Sequence, residues 1–129
     1  MKALTRFQPG LLSLLRVMAG LLILQHGTAK VLNFPTSPLN DVPLSALPGI
    51  AGILELIFGA LLVIGLYTRI SAFVLSGVTA AAYFIAHTQQ GFYPLLNGGE
   101  LAALYSFTFL FIAAAGAGPI SLDAARKQA

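Results

Sequence analysis

Ionisable and hydrogen-bonding residues stand inside stretches of this sequence that are otherwise apolar. Arg16, His26 and Lys30 interrupt the first long run, and Glu55 is the single charge of the second. Tyr83 and His87 close the third, while Asn97 and Glu100 open the fourth. A charged group surrounded by hydrocarbon costs a few kcal/mol or more, so each of these residues needs a partner or a purpose. Histidine, glutamate and tyrosine around a polar head group can exchange protons with it. A quinone, or a similar lipophilic small molecule, is a ligand of that kind: its ring takes hydrogen bonds and its tail lies among Leu and Phe. In this reading Glu55, His26 and Glu100 handle protons as the catalytic set. Arg16 and Lys30 balance their charge, Tyr83 binds the head group, and His87 and Asn97 complete the ligand-binding set. No metal motif, nucleotide loop or nucleophile–base pair accompanies them, and no metal is expected. The chain has no cysteine, so sulfur redox chemistry is excluded.

The elements that must position these groups follow from composition. Seven Lys or Arg and four Asp or Glu make 9% of the 129 residues charged, against 57% hydrophobic. A soluble domain carries roughly 25% charged residues, and a small one exposes much of its surface and needs polar side chains to cover it. Mean hydropathy is +0.87. A soluble enzyme and a disordered segment are both poor fits. The pI of about 9.6 does not make a nucleic-acid binder, because seven scattered cations form no basic patch.

Four apolar runs, residues 11–32, 44–66, 70–87 and 100–117, each approach the ~20 residues that a helix needs to cross ~30 Å of hydrocarbon. Hydrogen bonding within each segment makes helix the state expected there. The fold class predicted is all-α, an integral membrane four-helix bundle in one domain. The first run carries Arg16 and ends without a small-residue cleavage site, so it is expected to be retained and not removed as a signal peptide. Lys2, Arg6, Arg69, Arg126 and Lys127 all fall on one side of such a bundle, and only Lys30 on the other. The positive-inside rule then places both termini in the cytoplasm.

Helical periodicity puts Arg16, Gly20, Ile23, Gly27 and Lys30 on one stripe of the first helix, and Gly52, Glu55 and Gly59 on one side of the second. Glycines there allow backbones to approach closely, so the charged faces are the faces that pack inward. Arg16 lies about 6 Å to one side of the bilayer midplane and His26 about as far to the other. Both are within reach of Glu55, and an Arg16–Glu55 ion pair that merely docks two helices is the structural alternative. His26, Lys30, Tyr83, His87 and Glu100 map to the outer half, with Glu55 beneath them. That arrangement predicts a polar pocket opening outward.

Four segments resemble the DoxX family of small bacterial membrane proteins. They are LLRVMAGLLILQHGTAKVLNF with Arg16, His26, Gly27 and Lys30; GILELIFGALLVIGLYTRISA with Glu55, Gly59, Gly65, Thr68 and Arg69; NGGELAALY with Asn97, Gly99 and Glu100; and GAGPISLDAA with Gly116, Gly118, Ser121, Leu122 and Asp123. The resemblance runs from about Leu11 to Ala125. The family is similar to the small membrane subunit of a thiosulfate:quinone oxidoreductase. It therefore implies a component of the bacterial inner membrane, working with quinone and with another subunit. A competing expectation is a non-catalytic membrane anchor or assembly scaffold for a soluble redox partner, recognised through loops and tail. A transporter fits less well, since broken spans and inverted repeats are missing. A homo-oligomer is compatible with the small core. In the tail, Ser121 is a candidate helix cap, and Asp123 a candidate partner for Arg69 or Arg126.

Overall fold

Three prolines mark where helices begin. The computed structural model describes residues 1–128. A single helical turn, α1 (Lys2–Thr5), leads into α2 (Gln8–Leu32), with Pro9 in its first turn. Then come α3 (Leu47–Ile64), α4 (Thr68–Ala82), α5 (Pro94–Asn97), α6 (Glu100–Ala115) and α7 (Leu122–Gln128). Pro48 and Pro94 open α3 and α5 in the same way. At these positions the missing N–H of proline would have had no helical acceptor in any case. No strand occurs among the described residues.

The boundaries differ from the predicted ones for identifiable reasons. A helix starting at residue 44 would put Pro48 in its interior, where the ring clashes with the preceding turn; α3 therefore starts at Leu47. The third helix is longer than expected, because α4 continues through a π-helical turn at Tyr83–His87 and a 3-10 turn at Thr88–Gln90. The fourth is shorter. It stops at Ala115 because Gly116 turns the chain at φ 93°, ahead of Gly118 and Pro119. Three helical stretches, Gln8–Leu32, Leu47–Ile64 and Thr68–Gln90, are long and apolar enough to cross a membrane. The 16 residues of α6 are apolar but span only about 24 Å.

Burial runs opposite to that of a soluble globule. Leu14, Met18, Ile57, Phe73, Leu104 and Phe107 are exposed, while Ser13, Arg16, Glu55, Ser71, Thr79 and Asn97 are buried. An outer surface of Leu and Phe suits lipid, and most of the buried polar groups find partners inside; Arg16 Nε, Thr68 Oγ1 and Ser71 Oγ have none among the described residues. The small apolar core joins Ala19 and Ile23 of α2, Leu62 of α3, Ala72 and Leu75 of α4, and Tyr105, Phe109 and Ile112 of α6.

The helices pack as two pairs, α2 with α3 and α4 with α6, joined through α3 and α4; α2 and α6 touch only slightly. Glycines set the first pair. A Cβ on Gly27 would sit 2.7 Å from Leu56 Cα, and one on Gly59 would sit 3.1 Å from Leu24 Cα. Gly20 meets the Val63 backbone in the same antiparallel register. The inward glycine stripes predicted from sequence are therefore the α2–α3 seam.

Replacing Gly27 by Ala is expected to lower stability by about 1–3 kcal/mol through overpacking. Gly77→Ala is the control, because nothing lies within 4 Å of the position its Cβ would take. Thermal unfolding midpoints in detergent micelles should fall for the first variant and hold or rise for the second.

Candidate functional site

Lys30 and Glu55 form the charged centre of the α2–α3 seam. The Lys30 ammonium donates to both carboxylate oxygens of Glu55, at 3.1 and 2.9 Å. Glu55 is 4% exposed and lies halfway along α3. Lys30 sits one turn nearer the helix ends, opposite Gly52, where a Cβ would come 2.7 Å from the lysine Cβ. Gly52 thus gives the lysine stem room to lie along α3 and bend inward. This replaces the expected Arg16–Glu55 pair: both cations share a stripe of α2, but Lys30 holds the carboxylate.

His26, one turn before Lys30, faces Tyr105 of α6. The rings meet edge to face at 6.2 Å, across the seam where α2 and α6 scarcely touch. Tyr105 is buried, stacks on Phe109 at 5.4 Å, and lies within electrostatic reach of Glu55. Sequence inspection missed Tyr105. Phe107 and Phe111, on the other side of α6, are exposed.

The remaining outer-half candidates gather elsewhere. Asn97 is buried at the end of α5, where its amide donates to the Tyr83 hydroxyl at 3.3 Å and to the Gly91 carbonyl at 3.0 Å. Its side-chain oxygen accepts from Gly99 N–H at 2.8 Å, and its backbone carbonyl meets His87 Nδ1 at 3.1 Å. Tyr83 and His87 are the first and last residues of the π-helical turn, a local widening that often accompanies functional sites. These three residues, predicted as ligand-binding, therefore form one knot holding the segment between α4 and α6. Glu100 is exposed on the first turn of α6 and joins neither group.

Arg16 serves the opposite end. Its guanidinium donates to the carbonyls of Ala117 at 2.6 Å, Ile120 at 2.9 Å and Val63 at 3.5 Å, with the side chain 1% exposed. Gly65, at φ 72°, leaves no room for a Cβ against this guanidinium. Ser13 Oγ accepts from Ile120 N–H at 3.1 Å. Asp123 takes the N–H groups of Tyr67 and Thr68, both at 2.9 Å, so the tail caps the first turn of α4. Ser121 accepts from Ala124 N–H at 3.1 Å, the predicted cap of the terminal helix. Arg69 donates to the carbonyls of Ala113 and Ala114 and makes no ion pair with Asp123. Burial pushes the Asp123 carboxyl up, but the two N–H bonds and the nearby Arg126 charge outweigh it, holding it below the usual carboxylate range.

Two hollows of about 680 Å³ each open at this same end, and neither is lined by Glu55, Lys30 or Tyr83. At Glu55 itself the carboxylate is closed into the ion pair with Lys30. No group of three or more His, Asp or Glu residues is placed to hold a metal ion among the described residues.

Comparison with known proteins agrees with the sequence resemblance. The DoxX family model matches residues 11–88. An uncharacterized protein of Haemophilus influenzae is 41% identical over 128 residues, 95% of this chain and 96% of that protein. A second uncharacterized protein of the same organism is 35% identical over 91 residues, 70% of this chain and 60% of that protein. No solved structure matches the chain.

Asp123→Ala is expected to cost about 0.5–2 kcal/mol, the range for a lost N-terminal cap. Because the folded carboxyl titrates low, its charge contributes in full above the ordinary value of 3.8. That contribution is lost as pH falls through the lower folded value. Unfolding midpoints in detergent from about pH 7 to about pH 2.5 should show an acid-side loss that Asp123→Asn abolishes.

Proposed function

The chain belongs to the DoxX family, and we propose that this membrane protein binds a quinone or similar lipophilic ring beside Glu55. The observation carrying this reading is the pair of buried Glu55 and half-buried Lys30 with His26 and Tyr105 next to it, at the loosest seam of the bundle. A flat ring entering from lipid between α2 and α6 would reach His26 and Tyr105 first. Neither ring enters a hydrogen bond with another described residue, so their donors are available to a ligand carbonyl. A bound quinone supplies two-electron, two-proton chemistry, with electrons delivered by a soluble redox partner.

The chain's own residues then manage protons. Lys30 holds the Glu55 carboxylate in one orientation and offsets its charge, and Glu55 is the buried proton acceptor. His26 relays between that carboxylate and the outer half of the bundle, and Tyr105 orients the ring. Tyr83, His87 and Asn97 hold the outer segment in place, and Glu100 takes protons at the surface. Arg16 acts on the fold and not on the ligand. Four passes through the bacterial inner membrane, with the five-cation end in the cytoplasm, complete the reading.

A membrane anchor for the soluble partner is the second reading. It is favoured by the closed Lys30–Glu55 pair and by the open hollows at the cationic end.

Titration of the purified protein with a fluorescent quinone analogue separates the two. Glu55→Gln alone leaves the half-buried lysine without its counter-charge and is expected to lower stability by up to about 3 kcal/mol. The double variant Lys30→Met/Glu55→Met removes both charges, and a well-packed apolar replacement of this kind is neutral or stabilising. It should unfold at or above the wild-type midpoint yet lose analogue binding at least about tenfold, a change of ~1.4 kcal/mol. Full binding by that stable variant and by His26→Ala would remove these residues from the site.

A further inference from the structure

We infer that the end of the bundle carrying both termini holds one anionic phospholipid, its phosphate in one hollow and an acyl chain in the other. The two hollows are adjacent, since Ala115 and Gly118 line both. Their linings differ in kind. The first lies between the start of α2 and the end of α6 and is walled by Leu4, Leu11, Leu12, Leu15 and Phe111. It runs from the bundle end into the apolar zone, as an acyl chain does.

The second lies between the start of α4, the turn after α6 and α7. Arg69, Arg126 and Lys127 line it against one carboxylate, Asp123. That carboxylate is already committed to the N–H groups of Tyr67 and Thr68, so the hollow presents a surplus of positive charge. Two of the cations are pre-positioned. Arg69 is held by the last carbonyls of α6 through Nη1, leaving Nη2 and Nε without a partner among the described residues. Arg126 lies over the Tyr67 ring at 5.1 Å. Exposed Tyr67 and Ile70 at the rim suit the boundary between head groups and hydrocarbon.

Charge complementarity selects the occupant. A zwitterionic head group would bring its own cation among three others, whereas phosphatidylglycerol brings only the anion. Free phosphate would satisfy the cations and leave the apolar hollow unfilled. The site is remote from Glu55 and independent of the quinone reading.

Native mass spectrometry of the detergent-purified protein, exchanged against phosphatidylglycerol or phosphatidylcholine micelles, tests this. One phosphatidylglycerol should be retained in preference to phosphatidylcholine and resist displacement by millimolar inorganic phosphate. Arg126→Gln/Lys127→Gln should weaken retention about thirtyfold, at roughly fivefold per cation. Lys2→Gln/Arg6→Gln removes two cations from the same end but outside both hollows, and should change nothing. Leu12→Trp keeps every cation, narrows the apolar hollow at its wall, and should weaken retention as well. Equal retention of the two lipids, equal losses in the two double variants, displacement by phosphate, or full retention in Leu12→Trp would each overturn the proposal.

Discussion

Every charge inside this bundle has to be answered from within it, because hydrocarbon offers neither water nor counter-ion. The rest of the architecture depends on how two cations of α2 meet that demand. Lys30 is answered by the Glu55 carboxylate at mid-depth. Arg16 is answered by backbone carbonyls of the turn after α6. The first fixes the register of α2 against α3. The second fixes where the chain goes after its last long helix.

Both solutions need glycine. The lysine reaches the glutamate only because Gly52 leaves space for its stem, and the helices stand close enough only because Gly27 and Gly59 meet backbone. At the other end, Gly65 makes room for the arginine at a φ that favours glycine, and Gly116 and Gly118 turn the tail back under the bundle. The polar tail is therefore not an appendage. Asp123 and Ser121 tie it to α4 and to itself, and the carbonyls of Ala117 and Ile120 ahead of it accept from both Nη atoms of the Arg16 guanidinium.

Much of this was legible from residue types. Span positions, the inward glycine stripes, the gathering of both termini at one end and the cap at Ser121 all follow from apolar length, spacing and charge placement. The partner of Glu55 was not, because helical periodicity gives depth and face but not the direction in which a flexible side chain bends. Arg16 was misplaced for a different reason: its acceptors are main-chain carbonyls, which every residue has and no pattern marks. Tyr105 was hidden because α6 is apolar on all sides, so the sequence shows no preferred face. Glu100 reads as a proton-handling group of the outer half; a carboxylate on the first helical turn is favourable with or without a ligand, and here it is exposed.

The Arg16 contacts also impose an order on biogenesis. Their acceptors lie 101 and 104 positions further along the chain. At a synthesis rate of about 5–20 residues per second, the arginine emerges roughly 5 to 20 seconds before the carbonyls that will receive it. During that interval α2 carries a cation whose insertion at mid-bilayer would cost about 2.5–3.5 kcal/mol. The nascent helix is thus best kept at the headgroup boundary, or in contact with the insertion machinery, while the later spans are made. The first long helix to be made is the last to be finished, and ribosomes that stall before the tail leave it still seeking its partners.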